Sequence, residues 1–362
     1  MISDRIFKVE KLTDLKSQAA WKALLNNSGK GDVYLTPEYV LSTRFLDEGE
    51  VFVASLAGDE GEAVIYPFYR RRIPPPDSNS GLAGDYYDIT TPYGYSGPLL
   101  TSPEKINTQF FKYFTEWCRD NRVITEFIRY NPFLENHRPT AAVTKTEIRS
   151  RIVYVDLARP LQEITDGFSS HHRRNLKNAL KNNLAFREVN PENRLEAFIS
   201  LYYQTMKKVE AKPFYFFPKE YFYSLKALMG PGFHLFAVDS DGVPVAMAIC
   251  LSHHHRLHYH LGASDDRYLK LRPNNYLFYG IIQWAQARGF RIFNLGGGVT
   301  LDDALFSFKR GFSGHVLDFY CGKTVFDQKT YARLNEAARK SGNHKRESFY
   351  ARTYFPIYRS QP

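Results

Sequence analysis

A lysine between aromatic side chains is a candidate catalytic residue of this sequence. Lys309 lies in the run Phe306-Ser307-Phe308-Lys309-Arg310-Gly311-Phe312. Aromatic neighbours shield an ammonium from water, and a shielded charge acts more strongly on a developing oxyanion. We therefore predict that Lys309 is catalytic and that Phe308 belongs to the same site. A surface lysine beside packed phenylalanines is the alternative interpretation.

A cluster of glycines follows a predicted strand over residues 290–295. The segment reads Asn294-Leu295-Gly296-Gly297-Gly298-Val299-Thr300. Glycines let the backbone adopt positive φ and let a ligand approach main-chain N–H groups closely. Because ligands bind at the carboxyl ends of strands in open α/β sheets, we predict substrate contacts at Asn294 and Gly297. The spacing matches neither common nucleotide motif. The alternative is a bulge or tight turn without a ligand.

A loop rich in tyrosine, glycine and proline is the next candidate, over Asp85–Pro98. Tyrosines held by glycine and proline can present hydroxyls and flat apolar faces to a ligand. We predict Tyr93 and Tyr95 as substrate-binding residues, and Asp88 as a base or as the group that orients an amine. A structural crossover between strands is the alternative.

A basic segment, His171–Lys181, has four fixed positive charges and no acid. Arg173, Lys177 and Lys181 recur at i, i+4 and i+8, which places them on one helix face. Leu176 and Leu180 are expected to line another face. Such a helix can hold phosphates or an RNA backbone, or it can be a solvated face packed through its leucines. The predicted phosphate-binding residues are Arg173, Arg174 and Lys177.

Histidine and cysteine spacing does not favour a metal site. His258 and His260 alternate along a predicted strand and therefore share one face, but no third ligand is evident in the sequence. Cys118, Cys250 and Cys321 lie far apart without CxxC spacing, which argues against a zinc site or a disulfide framework. We predict a protein without a metal.

Charge and hydropathy restrict the class of protein. The 362 residues carry a net charge of +10, which favours an anionic partner such as nucleic acid, a phosphorylated small molecule or an anionic membrane face. No apolar run approaches the ~18 residues of a membrane span, and the N-terminus lacks the pattern of a signal peptide. The expectation is a cytoplasmic protein without a transmembrane segment, with peripheral contact to an anionic membrane left open.

The elements that must position these residues occur twice in the chain. Val33–Tyr39 is echoed by Phe214–Tyr221, and an apolar stretch begins 12 residues after Tyr39 and after Tyr221. In each copy a second strand, a helix carrying Trp117 or Trp284, and another strand follow in the same order. This repetition predicts a protein built from two similar, duplicated α/β domains. The predicted domains are residues 1–158 and 159–362, and the basic helix lies in the second.

Taken together, these motifs resemble the FemABX-type peptidyltransferases and the related BioF2-like acetyltransferase domains of the GNAT superfamily. The resemblance rests on the duplicated halves, the basic helix Arg173–Lys181, the glycines Gly296–Gly298 and the pair Phe308-Lys309. It implies two tandem GNAT-like domains of the α+β type, each a mixed twisted sheet flanked by helices. The implied activity is transfer of an acyl group, commonly an amino acid from aminoacyl-tRNA, onto an amine of a cell-wall precursor. It also implies that Lys309 neutralises the tetrahedral intermediate.

The donor is left open between aminoacyl-tRNA and acyl-CoA. The segment Asp265–Pro273 lacks the glycines of an ordinary CoA pyrophosphate cradle, although cations there precede a helix N-terminus that favours anions. The predicted cofactor-binding cations are Arg267, Lys270 and Arg272. On the flanking strand and helix, the predicted substrate-binding residues are Tyr259, Asn275 and Tyr276.

Three functions are compatible with this sequence. The first is an aminoacyl transferase acting on a phosphate-bearing cell-envelope precursor, with tRNA as a partner. The second is an acyl-CoA-dependent N-acyltransferase of polysaccharide biosynthesis. The third is a non-catalytic module that binds RNA or a phosphoglycan, since a fold alone does not prove activity. The acceptor amine, the general base and the oligomeric state are open at this stage.

Overall fold

The computed structural model describes residues 6–15, 18–27, 31–58, 63–74, 84–101, 104–340 and 354–359. The chain divides into two compact units, each built from separate pieces of sequence. The first unit comprises Met1–Lys30, Asp47–Ile148 and Tyr320–Pro362, and the second comprises Gly31–Leu46 and Arg149–Phe319. A single cut after residue 158 would leave three pieces in the other unit: 31–46, 149–158 and 320–362.

Strands and helices are mixed along the chain, with runs of successive strands at residues 50–100 and 233–264. The strands are β1 (Phe7–Lys11), β2 (Glu50–Ala57), β3 (Ala63–Arg72), β4 (Tyr87–Thr90), β5 (Leu99–Leu100), β6 (Val123–Arg129), β7 (Lys145–Asp156), β8 (Leu184–Glu188), β9 (Phe233–Ser240), β10 (Val243–His253), β11 (Arg256–Ser264), β12 (Ile292–Gly297) and β13 (His315–Val325). The α-helices are α1 (Ala19–Asn27), α2 (Pro37–Ser42), α3 (Glu104–Asp120), α4 (Leu161–Asp166), α5 (Ser170–Lys181), α6 (Pro191–Lys208), α7 (Lys219–Met229), α8 (Pro273–Ala287), α9 (Ala304–Arg310) and α10 (Gln328–Lys340).

Strand pairing repeats between the two units. In the first, β1, β2, β3 and β4 pair antiparallel in that order, β4 pairs parallel with β6, and β6 pairs antiparallel with the C-terminal half of β13. In the second, β8, β9, β10 and β11 pair antiparallel, β11 pairs parallel with β12, and β12 pairs antiparallel with the C-terminal half of β7. The predicted duplication and mixed α/β fold are therefore confirmed.

The last strand of each copy is exchanged. β7 follows β6 along the chain but pairs in the second unit, and β13 follows β12 but pairs in the first. The N-terminal segment containing α2 is also part of the second unit, where it packs against α7, its counterpart in the repeat. Local sequence repetition identified the copies, but only the tertiary contacts show which unit each element joins.

The core of the first unit forms where α3 covers its sheet. Ile106, Phe110 and Phe114 recur every fourth residue and are all buried, as an amphipathic helix requires. The ring of Phe114 lies 5.3 Å from that of Tyr66 and 5.5 Å from that of Phe68, both on β3. Burial of each such side chain contributes roughly 1.5–3 kcal/mol.

The core of the second unit surrounds α8. Ile281 and Ile282 are fully buried, and Phe278 stacks on Tyr259 of β11 with 4.7 Å between ring centroids. The opposite neighbour of Phe278 is Phe312, just after α9, at 4.9 Å. These contacts fix β11, α8 and α9 against one another. The candidate site is built on these three elements and on β12.

Glycine, proline and polar residues predict turns or loops in three further segments. These segments lie wholly or mostly outside the described residues: 59–61, 74–81 and 342–348. The second-copy turn is described: Asp241 and Gly242 both have positive φ between β9 and β10. Asp241 adopts this left-handed conformation more readily than a bulky residue would. The chain therefore makes a tight hairpin between β9 and β10.

Candidate functional site

Two parallel strands separate at the centre of the site. β11 and β12 pair only over Arg256–His258 and Ile292–Asn294. Beyond these residues the strands continue as Tyr259–Ser264 and Leu295–Gly297 without pairing to each other. We call these two diverging segments the fork. A fork exposes backbone groups that a continuous ladder would consume, so it is a natural place for a ligand or a side chain to enter.

Glycine is required at the fork for steric reasons. Gly296 has a φ of +73°, which accommodates the register shift between β12 and β7 after Asn294. A Cβ on Gly297 would lie 2.2 Å from the carbonyl oxygen of Arg151 on β7. The glycine cluster therefore forms a bulge, and the Gly297 carbonyl oxygen accepts a hydrogen bond from Lys309 Nζ. Substrate contact at Asn294 and Gly297 stays a prediction.

Lys309 bridges the two branches of the fork. Its Nζ donates to the carbonyl oxygen of Gly297 at 2.8 Å and lies 5.7 Å from the ring centroid of Tyr259. The helix that carries Lys309, α9, begins at Asp303, whose carboxylate accepts from the backbone N–H of Phe306 at 2.8 Å. This N-cap fixes the start of α9 and thereby the direction in which Lys309 points.

Burial controls the charge of Lys309. The side chain is 6 % exposed, and this burial lowers the pKa of Lys309 to about 8, against an opposing effect of Asp303. Desolvation penalises the ammonium form, so the proton is held less tightly than on a surface lysine. At neutral pH most molecules still carry the ammonium. An ammonium has three N–H donors, and within the described residues the structure shows one of them in use.

A second polar group lies at the base of the fork. Asn294 Nδ2 is 3.0 Å from His258 Nδ1, and Asn294 Oδ1 accepts from the backbone N–H of Gly296 at 2.8 Å. His258 Nε2 lies 3.2 Å from Asp32 Oδ2, although without the alignment of a hydrogen bond. Arg256 is 3.6 Å from the same carboxylate oxygen. Burial tends to raise the pKa of Asp32, but His258 and Arg256 outweigh it and lower that pKa to about 2.

Both copies of the repeated tyrosine converge on one histidine. The ring of Tyr39 on α2 lies 5.9 Å from that of His260, and the ring of Tyr221 on α7 lies 6.2 Å from it. The Tyr221 hydroxyl also bonds to His260 Nε2. Burial and the neighbouring His258 lower the pKa of His260 to about 3, so His260 is neutral at pH 7. His258 and His260 share a face of β11, as predicted.

The basic helix α5 is fixed to α9 through an unpredicted residue, His172. Its ring lies 5.1 Å from that of Phe308 and 4.4 Å from that of Phe312. A Cβ on Gly311 would lie 2.4 Å from His172 Cε1, so glycine at the end of α9 makes room for the imidazole. Ser169 caps α5 by accepting from the His172 N–H at 3.2 Å. Phe308 therefore connects α5 to the helix of Lys309.

The two faces of α5 differ in part from the prediction. His172, Asn175, Leu176 and Ala179 form the buried face, at the spacing of one helix stripe. The prediction that Leu180 lines the apolar face is wrong, because Leu180 is 55 % exposed. The buried positions lie one turn closer to the N-terminus of the helix.

The predicted phosphate-binding cations of α5 have different surroundings. Arg173 Nη1 donates to the carbonyl oxygens of Asp166 and Phe168, at 2.7 and 2.6 Å, and thus holds the turn between α4 and α5. Arg174 and Lys177 are exposed. Arg174 Nη2 also lies 3.2 Å from His171 Nδ1. Both side chains present positive charge to solvent, where it can bind phosphate groups.

The segment before α8 carries the predicted donor-binding cations. Arg267 is held by Asp265, with its Nη2 2.6 Å from Oδ2, whereas Lys270 and Arg272 are exposed. Arg272 adopts a left-handed conformation as the N-cap of α8 and supplies no side-chain cap. Asn275 is 5 % exposed, and its Nδ2 has no hydrogen-bond partner among the described residues. Tyr276, next to it, packs against the core and is half-buried.

The remaining predicted residues belong to the first unit. Asp88 on β4 is fully buried; its carboxylate accepts from Arg71 Nε at 2.7 Å, from Arg359 and from the Tyr358 hydroxyl. Tyr93 and Tyr95 follow β4 and are half-buried. Asp88 is therefore an anchor for two guanidinium groups, and its role as a base stays a prediction.

Sequence reasoning missed three residues that organise the fork: Asp32, His258 and His172. Asp32 is 226 residues from His258 in sequence, so no local pattern joins them. For His172 a signal existed, because it occupies the same helix stripe as Leu176. Helical spacing counted without regard to polarity places His172 on the buried face.

Among the residues that the structure describes, no group of three or more His, Cys, Asp or Glu side chains is arranged to hold a metal ion. Within the same part of the chain, no helix has both the length and the apolar character that crossing a bilayer demands.

A family model described as an acetyltransferase (GNAT) domain matches residues 170–310, which span α5, the fork and Lys309. Residues 170–310 therefore match a GNAT-type acetyltransferase domain, and the predicted resemblance to this superfamily is confirmed over that part of the chain. No curated relative matches the chain in sequence.

Solved structures show the same fold. A structure of FemX is 12% identical and covers 90% of this chain and 99% of that one, with a TM-score of 0.67. The structure of L-PGS from Bacillus licheniformis is 14% identical and covers 91% and 97%, with a TM-score of 0.56. The C-terminal domain of a putative lysylphosphatidylglycerol synthetase from Agrobacterium fabrum is 16% identical and covers 78% and 86%, with a TM-score of 0.51. The chain thus has a FemX-like fold.

Proposed function

We propose that the protein transfers an amino-acid or other acyl group onto an amine of a cell-wall or surface-glycan precursor. The observation that carries this proposal is the buried ammonium of Lys309, held at the fork within a GNAT domain. The FemX-like fold supports an aminoacyl donor, as does the likeness to a protein named for the synthesis of lysylphosphatidylglycerol. The proposal places the reaction in the cytoplasm, where aminoacyl-tRNA and CoA are available.

The chemical step is an acyl transfer. The acceptor amine attacks the carbonyl carbon of the donor ester or thioester, and a tetrahedral intermediate with a negative oxygen forms. The Lys309 ammonium lowers the energy of this oxyanion, which is the kind of stabilisation that contributes several kcal/mol in acyl transfer. The nitrogen then gives up one proton, the bond from the carbonyl carbon to the leaving oxygen or sulfur breaks, and the leaving atom takes up a proton. The products are an amide and a free alcohol or thiol.

The exposed cations of α5 supply the affinity for a phosphate-bearing substrate. Arg174 and Lys177 lie on α5. His172 of the same helix contacts Phe308, the residue that directly precedes Lys309. Charge at this position can orient a diphosphate or a tRNA backbone relative to the ammonium. The excess positive charge of +10 also favours a peripheral contact with an anionic membrane face, where lipid-linked precursors are found.

An acyl-CoA donor is the second candidate, since the matching family model is described as an acetyltransferase domain. The uncapped N-terminus of α8 and the Nδ2 of Asn275 offer N–H donors to an anion there. The segment before α8 has no glycine, which makes a pyrophosphate cradle less open than in an ordinary GNAT enzyme.

Donor and function are tested together by product analysis. The purified protein is incubated with aminoacyl-tRNA or with acetyl-CoA and with a panel of amino-sugar and peptidoglycan-precursor acceptors, and products are identified by mass. The expected product with aminoacyl-tRNA is an aminoacylated acceptor that Lys309→Met fails to make. Product from acetyl-CoA alone would establish the second candidate. Tight, salt-sensitive binding without product from either donor would overturn both in favour of a non-catalytic binding module.

A further inference from the structure

We propose that Asp32, His258 and Asn294 form a positioning relay, which sets the place of the Gly297 carbonyl and through it the place of the Lys309 ammonium. Its catalytic importance rests on the proposed role of Lys309. The arrangement of these side chains can be tested without a measurement of turnover.

The contacts form a chain from Asp32 to Lys309. Asp32 Oδ2 lies 3.2 Å from His258 Nε2, and His258 Nδ1 lies 3.0 Å from Asn294 Nδ2. Asn294 Oδ1 accepts from Gly296 N at 2.8 Å, and the next residue, Gly297, accepts from Lys309 Nζ at 2.8 Å. Each step is a polar contact or one peptide unit, so a displacement at one end reaches the other.

The donors and acceptors of the relay are fixed by a backbone group. Gly296 N–H can only donate, so the atom of Asn294 that it contacts must be the oxygen. The other amide atom is then the NH2 group, which donates to His258 Nδ1. His258 Nδ1 must therefore lack a proton, and a neutral imidazole carries its proton on Nε2, facing Asp32. An Nε2–H that lies 3.2 Å from the Asp32 carboxylate oxygen is favoured electrostatically even without the alignment of a hydrogen bond, so Asp32 favours the tautomer that Asn294 requires.

The relay acts on the side of β12 that faces β11, where the last residues of β12 no longer pair with that strand. β12 has no β11 partner after Asn294, so on that side the Gly296–Gly297 backbone is held by the Asn294 side chain. Asp32, His258 and Asn294 are 0, 0 and 1 % exposed. In a buried environment a broken donor–acceptor pattern costs about 1–3 kcal/mol, which favours a single arrangement of the fork.

Asp32 enters this network from a distant part of the sequence. Its carboxylate accepts from the Tyr34 N–H at 3.3 Å and lies 3.6 Å from Arg256, so it is held as an anion at a fixed position. The segment 31–46 therefore does more than cover the sheet: it provides the charge that orients His258. A purely structural role for these residues would predict lost stability with no change at Lys309.

The position of the ammonium is measured by competitive labelling. The ligand-free protein is treated with trace acetic anhydride at a series of pH values, and acetylation of Lys309 is quantified by mass spectrometry of its peptide. The wild-type profile should give a pKa of about 8. Loss of the Gly297 acceptor removes a contact that favours the charged form, so the relay variants should titrate at lower pH.

Two substitutions of His258 form a matched pair. His258→Leu removes both ring contacts, whereas His258→Asn keeps an acceptor where Nδ1 stood. The relay predicts a lowered Lys309 pKa in His258→Leu and a value closer to wild type in His258→Asn. Asp32→Asn, which keeps the shape of the side chain, should also lower it because the tautomer is no longer favoured. Tyr221→Phe is the control: it removes a buried hydroxyl contact to His260 outside the relay and should leave the Lys309 profile unchanged.

The outcome that overturns the relay is a Lys309 labelling profile in Asp32→Asn and His258→Leu that coincides with wild type. If His258→Leu does not fold, Asp32→Asn and His258→Asn decide the matter alone. In kinetic assays the relay variants should lose kcat roughly tenfold to a hundredfold, with KM nearly unchanged, as misplacement of a catalytic group does. Full turnover by Lys309→Met would remove the proposed role of Lys309, whereas the labelling result would still judge the relay.

Discussion

The ammonium of Lys309 lies 5.7 Å from the ring centroid of Tyr259, on the opposite branch of the fork from its hydrogen-bond partner Gly297. The aromatic face attracts the cation and excludes water from it. Burial also raises the pKa of the Tyr259 hydroxyl well above its ordinary range, so this tyrosine stays neutral. Tyr259 therefore adds no charge beside Lys309, and removal of the Lys309 ammonium should have separable effects on stability and on turnover.

Replacement of Lys309 by methionine should stabilise the protein while it abolishes turnover. At pH 7 the buried ammonium destabilises the folded protein, because burial lowers the pKa of Lys309 from 10.5 to about 8. Methionine has similar volume and no charge, so the free energy of unfolding should rise by about 2–3 kcal/mol. Urea denaturation at pH 7 measures this gain.

The gain should disappear at high pH. Between about pH 8 and 10.5 the folded wild-type lysine is already neutral while the unfolded one is still charged, so the cost of burial falls away. Equal unfolding free energies of wild type and Lys309→Met at pH 7 would contradict this account of the site.

Turnover should decline as the pH rises through about 8, because the ammonium that stabilises the oxyanion is lost there. The measurement is kcat as a function of pH with saturating substrates. Lys309→Arg is the control, since a guanidinium stays protonated across this range. Its rate is expected to be lower, but the descending limb near pH 8 should be absent. A limb of the same position in Lys309→Arg would assign it to another group.

Gly297→Ala should reduce both stability and activity. The new Cβ would lie 2.2 Å from the Arg151 carbonyl oxygen, which belongs to backbone and cannot move aside cheaply. The expected loss of unfolding free energy is about 1–3 kcal/mol, and kcat should fall because the Gly297 carbonyl is displaced. Gly314→Ala is the matched control, because its Cβ would meet only Arg310 Nη1 at 3.6 Å. Chemical denaturation and steady-state kinetics of both variants decide the point.

Asp88→Asn should lower the stability of the first unit. The carboxylate is 0 % exposed and is paired with Arg71 and Arg359, so its neutralisation removes a counter-charge from both guanidinium groups and leaves Arg71 paired with Asp47 alone. The expected cost is about 3–5 kcal/mol. Asp85→Asn removes the exposed partner of Arg72 and should cost less than about 1 kcal/mol. Full stability with abolished turnover in Asp88→Asn would instead support the predicted role as a base.

Glu126 should make the protein less stable as the pH rises toward neutrality. Burial raises its pKa to about 7, although hydroxyls of Thr324 and Tyr66 bond to it at 2.9 and 3.0 Å. The folded state therefore binds a proton between pH 4.5 and about 7 that the unfolded state releases, and stability falls across this window. Glu126→Gln should raise the free energy of unfolding by up to about 3 kcal/mol at pH 8 and change it little near pH 4.5. A constant difference at both pH values would exclude this explanation.

Much of the site could be predicted from short stretches of sequence. Lys309, Tyr259, Asn294 and Gly297 do converge at the fork, because each stands next to a feature that has a local physical cause. Glycines mark the bulge, a cap marks the start of α9, and aromatic neighbours mark a buried lysine. Strand and helix periodicity likewise identified the repeated elements and most of their bounds.

Other features depended on contacts between residues far apart in the chain. Asp32 joins His258 only because the segment 31–46 is part of the second unit, and β7 and β13 pair in the copy opposite to their own. Arg173 was predicted to bind phosphate. In the structure its guanidinium donates to the backbone carbonyl oxygens of Asp166 and Phe168.

The sequence alone therefore determined which residues are chemically capable and which local elements carry them, since backbone propensity and hydrophobic periodicity act over a few residues. The tertiary structure decided their partners, because the burial that sets the charge of Lys309, and the contacts that orient His258, arise only when distant segments exclude water together.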